Sequence, residues 1–316
     1  MESIIEGRAA PAKAAPPASA TAAARVTAGY LLLGIPLLVL GRGGPAGLAM
    51  SAVHGALAVV LLALARRRPH GSCLAGVLAD WLPLLLVPIL YWELPMLMEA
   101  LPGPVRYHDP LITAWEEALF RGQPALEWAG AWPFPLLSEL LHACYVSYYA
   151  LIYIPPLLLY LGVGGVPGIG GTAPAARRAE AFHDTVLALA LCFVLCFAIF
   201  VAFPVEGPRY LGVPEGVPEG PVRGLVLAIL ERGSSRGAAF PSSHVAVIVA
   251  QALLALRHQP RVGRWVLVLA IGLGAGAVYG GFHYAVDVLA GAALGVLIVL
   301  VAPMLERRLG SRVSRA

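Results

Sequence analysis

The chain has 316 residues, of which 59% are hydrophobic and only 13% charged. That is too little polar surface for a soluble domain of this length, so a soluble fold is excluded and an all-α integral membrane protein is expected. The net charge of +4, from 22 Lys and Arg against 18 Asp and Glu, is informative mainly through where the charges fall.

Residues 1–25 are rich in Ala and Pro with nothing to bury, which predicts a disordered tail. Eight apolar runs near the length of a bilayer crossing follow, at 26–42, 47–66, 74–93, 134–162, 183–204, 243–257, 264–280 and 283–303. The first begins late and a second follows at once, so it reads as an uncleaved helix and not a signal peptide. Residues 26–66 then form two transmembrane helices ahead of a larger unit at 67–305, and 306–316 form a basic tail.

Basic residues cluster at Arg66, Arg67 and Arg68, at Arg177 and Arg178, at Arg257, Arg261 and Arg264, and at Arg307, Arg308, Arg312 and Arg315. With eight spans these clusters share one side with Arg8, Lys13 and Arg25. The positive-inside tendency makes that side cytoplasmic, with both termini on it. Loops 94–133 and 205–241 then face outward. The first carries Glu99, Arg106, Asp109, Glu116, Glu117 and Glu127 among Leu, Met and Trp, as an amphipathic helix on the membrane surface does. The second holds a tandem repeat, Val213-Pro-Glu-Gly then Val217-Pro-Glu-Gly, and an apolar stretch at 222–230 that predicts a short interfacial helix.

Cys73, Cys144, Cys192 and Cys196 lack metal-type spacing and read as small packing residues. His183 and Asp184 fall at the cytoplasmic end of the fifth span, where a helix cap is expected. His54 and Asp80 lie deeper without an evident partner. The glycines at 272, 274, 276, 280, 281, 291 and 295 suit close helix packing.

Polar groups at membrane depth are costly and mark function by default. On the outward side they are few: Arg209 after the fifth span, Ser242, Ser243 and His244 opening the sixth, and His283 with Asp287 opening the eighth. Each suits phosphate. A helix N-terminus aims unpaired N–H groups and a positive dipole end at an anion. Arg209 offers a planar donor fork for two oxygens. Asp287, four residues beyond His283 on one helical face, is placed to accept a proton from one ring nitrogen and leave the other as a nucleophile. His244 is placed to protonate a leaving alkoxide. Ser138, Glu139, His142, Tyr145, Tyr148 and Tyr149 start the fourth span from the same side and suit either a substrate pocket or interhelical hydrogen bonding. Tyr279, one turn before His283, suits either a site contact or an interfacial anchor.

Pro241-Ser242-Ser243-His244, His283-Tyr-Ala-Val-Asp287 and Gly207-Pro208-Arg209 together resemble the motifs of the type 2 phosphatidic acid phosphatase superfamily, which shares its site with vanadium haloperoxidases. The family patterns are Lys-x6-Arg-Pro, Pro-Ser-Gly-His and Ser-Arg-x5-His-x3-Asp. This chain departs from them at cationic positions: residue 202 is Ala, and residues 276 and 277 are Gly and Ala. The strings "AFPSSHVA", "YGGFHYAVD" and "FPVEGPRY", with "LSELLHACYVSYY" and "YWEL" upstream, are similar to the inositolphosphotransferase branch typified by fungal inositol phosphorylceramide synthases.

The resemblance spans residues 74–303 and implies a six-helix catalytic core behind two accessory helices. It implies that His283 attacks phosphorus to form a phosphohistidine-type intermediate, Asp287 orients it and His244 protonates the leaving group. Arg209, Ser242 and Ser243 would hold the phosphoryl oxygens. By position alone, Tyr279 and His142 are candidates for contact with the substrate, and Arg232 and Arg236, just upstream of the second motif, are candidates to replace the missing cations. The expected partners are the bilayer and a phospholipid or sphingolipid substrate. No cofactor, metal or nucleic acid is expected, since no phosphate loop, dinucleotide fingerprint or carboxylate cluster is present. A polar-lipid transporter with His and Asp as proton relays is the rival reading, though inverted repeats are not evident.

Overall fold

In the computed structural model, residues 18–41, 44–67, 74–163, 175–212 and 216–310 are described. The tail before residue 18, Arg68, Cys73, residues 213–215 of the repeat, and Arg312 and Arg315 lie outside them.

The helices in chain order are α1 (Ala18–Leu40), α2 (Gly44–Arg67), α3 (Leu74–Leu85), α4 (Val87–Trp92), α5 (Leu94–Ala100), α6 (Asp109–Phe120), α7 (Pro124–Ala131) and α8 (Pro135–Val146). There follow α9 (Tyr148–Leu151), α10 (Ile154–Leu161), α11 (Ala175–Ala202), α12 (Pro208–Leu211), α13 (Pro221–Gly233), α14 (Ser243–His258), α15 (Pro260–Tyr279) and α16 (Ala285–Gly310). Among the described residues no strand forms; Val205 and Ala238 make one isolated parallel bridge.

Among the described residues, six helical stretches are long and apolar enough to cross a bilayer: Ala20–Leu40, Gly44–Arg66, Leu74–Trp92, Ala175–Ala202, Pro260–Tyr279 and Ala285–Leu309. The protein is therefore an all-α integral membrane protein. The pair Pro135–Leu151 and Ile154–Leu161 passes the same test with a 41° bend. Pro155 and Pro156 stand at that break, where the missing N–H groups interrupt the helical ladder. The remaining apolar helix, α14, has 16 residues. At 1.5 Å per residue it extends about 24 Å, short of a hydrocarbon core of about 30 Å.

The core forms around α11, which packs against α1, α3, α10, α14 and α16 and buries Phe182, Phe193, Phe197 and Phe200. Cys192 and Cys196 are buried there, and together with Cys144 they carry free thiols. Gly276, Gly291 and Gly295 act as their spacing suggested, whereas Gly280 and Gly281 follow the end of α15 at a turn. A side chain at Gly291 or Gly295 would land on the carbonyl oxygens of Ser242 and Ala246, and one at Gly276 on that of Leu141. Small residues thus let α16 lie backbone to backbone against α14.

Polar residues that lack a partner in the linear chain find one across helices. His54 Nε2 lies 2.7 Å from Glu93 Oε2 and its Nδ1 lies 2.9 Å from the Leu31 carbonyl. Asp80 receives His183 Nε2 at 2.9 Å. His183 is thus not a helix cap: α11 begins eight residues earlier, at Ala175, and the imidazole joins α11 to α3.

Candidate active site

Four chain ends meet at one end of the bundle: the C-termini of α11 and α15 and the N-termini of α14 and α16. The segment after α11 is held beside the one before α14, since Val205 N–H donates to Gly237 O at 3.1 Å and Ala239 N–H to Val205 O at 3.0 Å. Ser242 caps α14, its hydroxyl accepting from Val245 N–H, and its own N–H donates to Asp287 O at 3.0 Å. These backbone bonds fix the three motif segments relative to one another.

His283 Nδ1 lies 3.0 Å from the Ala239 carbonyl and 3.5 Å from Asp287 Oδ2. A carbonyl only accepts, so Nδ1 carries the proton and Nε2 of the neutral ring keeps its lone pair. Asp287 is fully buried, and the same Oδ2 accepts from Tyr284 N–H at 2.9 Å. The carboxylate therefore caps α16 as well as facing His283, which explains why the Ala239 carbonyl is the nearer acceptor.

His244 projects from the first turn of α14 with its ring centroid 5.6 Å from that of His283. Tyr145 stacks on it at 5.2 Å and Tyr148 packs at 4.2 Å, while Nδ1 is buried without a hydrogen-bond partner. The aromatic walls fix the ring and give Nδ1 no hydrogen-bond partner.

Arg209 sits on α12, anchored by Nη1 donating to Ser234 Oγ at 3.0 Å and lying over the Tyr210 ring. Arg209, His244 and His283 line one polar cup of about 40 Å³, together with Tyr91, Tyr145, Glu206, Ser234 and Ser235. The structure thus brings these three motif residues together.

Other residues of the sequence reading stand nearby but not in the cup. Ser242 is fully buried as a cap. Ser243 lines a neighbouring apolar cavity. The Tyr279 hydroxyl donates to Trp132 O at 2.8 Å. His142 is buried behind Phe282, with Nδ1 2.6 Å from Ser138 O. Arg236 is exposed and paired with Glu206, and Arg232 is exposed on α13, so neither guanidinium lines the cup.

The neighbouring cavity, about 460 Å³, is walled mainly by aromatic and aliphatic side chains of α4, α9, α11 and α13. His244, Tyr91, Leu230 and Ser234 line both spaces. A polar and an apolar space thus meet on either side of one imidazole.

Two buried carboxylates that the sequence reading left in a surface helix belong to this region. Asp109 accepts from Glu206 N–H and Gly207 N–H, each at 2.9 Å, and from the Tyr284 hydroxyl at 3.1 Å. Glu116 Oε1 accepts from Val286 N–H at 3.2 Å while Oε2 has no partner. Burial pushes the Glu116 carboxyl up to about 7. Both face inward because Asp109, Ile112 and Glu116 recur on one helical face. That spacing was the available signal. Among the described residues no group of three or more His, Cys, Asp or Glu could hold a metal ion.

A family model described as the PAP2 superfamily matches residues 135–301, a segment that begins at α8 and contains every motif residue of the cup. No curated protein and no solved structure matches the chain. The match covers more than half of the sequence, and the chain belongs to the PAP2 superfamily, a membership that supports a lipid-phosphatase type of function.

Proposed function

We propose that this protein is a metal-free lipid phosphotransferase, working on the head-group phosphate of a phospholipid or sphingolipid at the outer membrane face with both termini cytoplasmic. His283 Nε2 attacks phosphorus and the bond to the leaving oxygen breaks, giving a phosphohistidine. His244, protonated, gives its proton to that oxygen. An acceptor alcohol then returns a proton to His244 and attacks phosphorus, the N–P bond breaks, and His283 is regenerated. Arg209 holds the phosphoryl oxygens through both steps. Asp287 and the Ala239 carbonyl orient His283. Ser242 and Ser243 act by setting the start of α14, and His142 and Tyr279 support the wall behind Phe282.

The observation that carries this reading is that His244 lines both the polar cup and the apolar cavity. An ester oxygen joining a phosphate to a lipid chain falls at that boundary. The charge of the cup favours a phosphodiester. Glu206 in its lining is paired with Arg236, which leaves the Arg209 guanidinium as the cation facing the cup, and residues 202, 276 and 277 supply none. A single negative charge is matched there, whereas the dianion of a phosphomonoester is not. This supports the inositolphosphotransferase-like reading, with a lipid alcohol such as a ceramide as acceptor, over simple hydrolysis.

The test supplies purified protein with a head-group-labelled phospholipid, with and without a lipid alcohol. Transfer of the labelled head-group phosphate to the alcohol is expected. Release of free phosphate alone reduces the protein to a phosphatase, and full activity in His283→Ala removes the mechanism.

A further inference from the structure

Asp109 joins two parts of the cup that the chain keeps far apart. Its carboxylate is 2% exposed and accepts three hydrogen bonds. Two come from the backbone at Glu206 and Gly207, just before Arg209, and the third from the hydroxyl of Tyr284, the residue after His283. Gly207 has φ +94°, and a side chain there would press on Ala239 Cβ at 3.2 Å and the Phe282 carbonyl at 3.4 Å. The loop carrying Arg209 is therefore threaded between the segments that carry His244 and His283, and Asp109 closes it from the remaining side. Glu116, two helical turns along α6, holds Val286 N–H at the start of α16. α6 lies outside the segment that matches the family.

A buried carboxylate needs its hydrogen bonds, and bonds to an ionised acceptor are stronger than neutral ones. Asn in the same place presents one oxygen and one NH₂ group. The NH₂ then faces a backbone N–H, so at least one of the loop contacts is lost. From this, and resting on the phosphoryl-transfer reading above, we infer that Asp109 is a positioning residue that sets the Arg209 guanidinium against the phosphorus held by His283. It touches no substrate and acts only through Arg209 and Tyr284.

The experiment is a double-mutant cycle in detergent-purified protein, reading kcat, KM and the inhibition constant for orthovanadate as a phosphate-shaped probe. A displaced phosphoryl clamp costs on the order of 100-fold in turnover. Asp109→Asn is expected to cost about that much in kcat/KM and to weaken orthovanadate by a similar factor. In an Arg209→Gln background the same change is expected to cost less than about twofold, because the group it positions is gone. Tyr284→Phe removes one bond without burying a mismatch, so it gives a milder loss in protein that still folds. Full multiplication of the Asp109 and Arg209 losses, or an unchanged orthovanadate constant in Tyr284→Phe, overturns the positioning role. An active His283→Ala variant overturns the underlying reading instead.

Discussion

The imidazoles of His244 and His283 approach to 5.6 Å between ring centroids, inclined at 60°, although they open different helices. Their contact is fixed from behind. Gly291 and Gly295 bring α16 onto the carbonyls of Ser242 and Ala246, and Ser242 N–H bonds to Asp287 O. The distance between the two imidazoles is thus set by backbone packing, which side-chain motion does not relax.

The hydrogen bonds of His283 predict unequal effects at its neighbours. The Ala239 carbonyl, the nearer of the two acceptors, suffices to fix the proton on Nδ1, so Asp287→Asn keeps the reactive tautomer. Single-turnover measurements should show a loss of about 100-fold for Asp287→Asn, smaller than where the carboxylate alone sets the tautomer. His283→Ala should abolish both turnover and the acid-labile phosphoprotein. Equal loss in the two variants would show that Asp287 orients the ring unaided.

Glu116 predicts a stability that falls toward alkaline pH. Its carboxyl sits near 7 in the fold, through burial, against an ordinary value of 4.5. The folded state therefore binds the proton more tightly, and the contribution is full below 4.5 and lost as pH rises through 7. Thermal unfolding in detergent should show a midpoint that declines between those values in the wild type. Glu116→Gln should flatten that slope while retaining the acceptor for Val286 N–H.

Arg209, His244 and His283 were legible in the sequence because polar side chains are rare in so apolar a chain and span counting places all three on one side. Asp109 was not, because two of its partners are backbone N–H groups, which carry no residue signature. Tyr279 was read toward the site from its spacing to His283. α15 ends at Tyr279 and the chain turns at Gly281, with φ +68°, so helical spacing does not carry across and the hydroxyl reaches Trp132 instead. The eight apolar runs all fall on helical stretches, but among the described residues six are long enough to span, a seventh is broken by a 41° bend and α14 is shorter; the pairs His54–Glu93 and Asp80–His183 depend on helix rotation and depth, which hydropathy does not encode.

The pair His54–Glu93 predicts an asymmetric response to substitution. His54 Nδ1 must carry a proton to meet the Leu31 carbonyl, so its Nε2 contact with Glu93 requires a further proton within the pair. Removing one partner leaves a buried polar group unmatched between α2 and the end of α4. His54→Ala or Glu93→Ala should each cost about 3–5 kcal/mol, and a paired replacement of both by Leu should be far milder. Chemical unfolding of the three variants in one detergent measures the difference. Additive losses would show that the residues do not act as a pair.

Gly291 offers the most direct check that backbone approach sets the site. Its missing side chain is the space occupied by the Ser242 carbonyl, and no rotamer change can make room, because the obstacle is main chain. Gly291→Ala must therefore push α14 and α16 apart at the turn where His244 begins. Overpacking of this kind costs about 1–3 kcal/mol in stability. It also lengthens the His244–His283 separation, so activity should fall by more than the folded fraction does, on the order of 100-fold for a shift near 1 Å. Gly224, on α13, has open space where a side chain would go. Gly224→Ala should leave both stability and turnover near wild type, and an equal loss in the two variants would remove the packing argument.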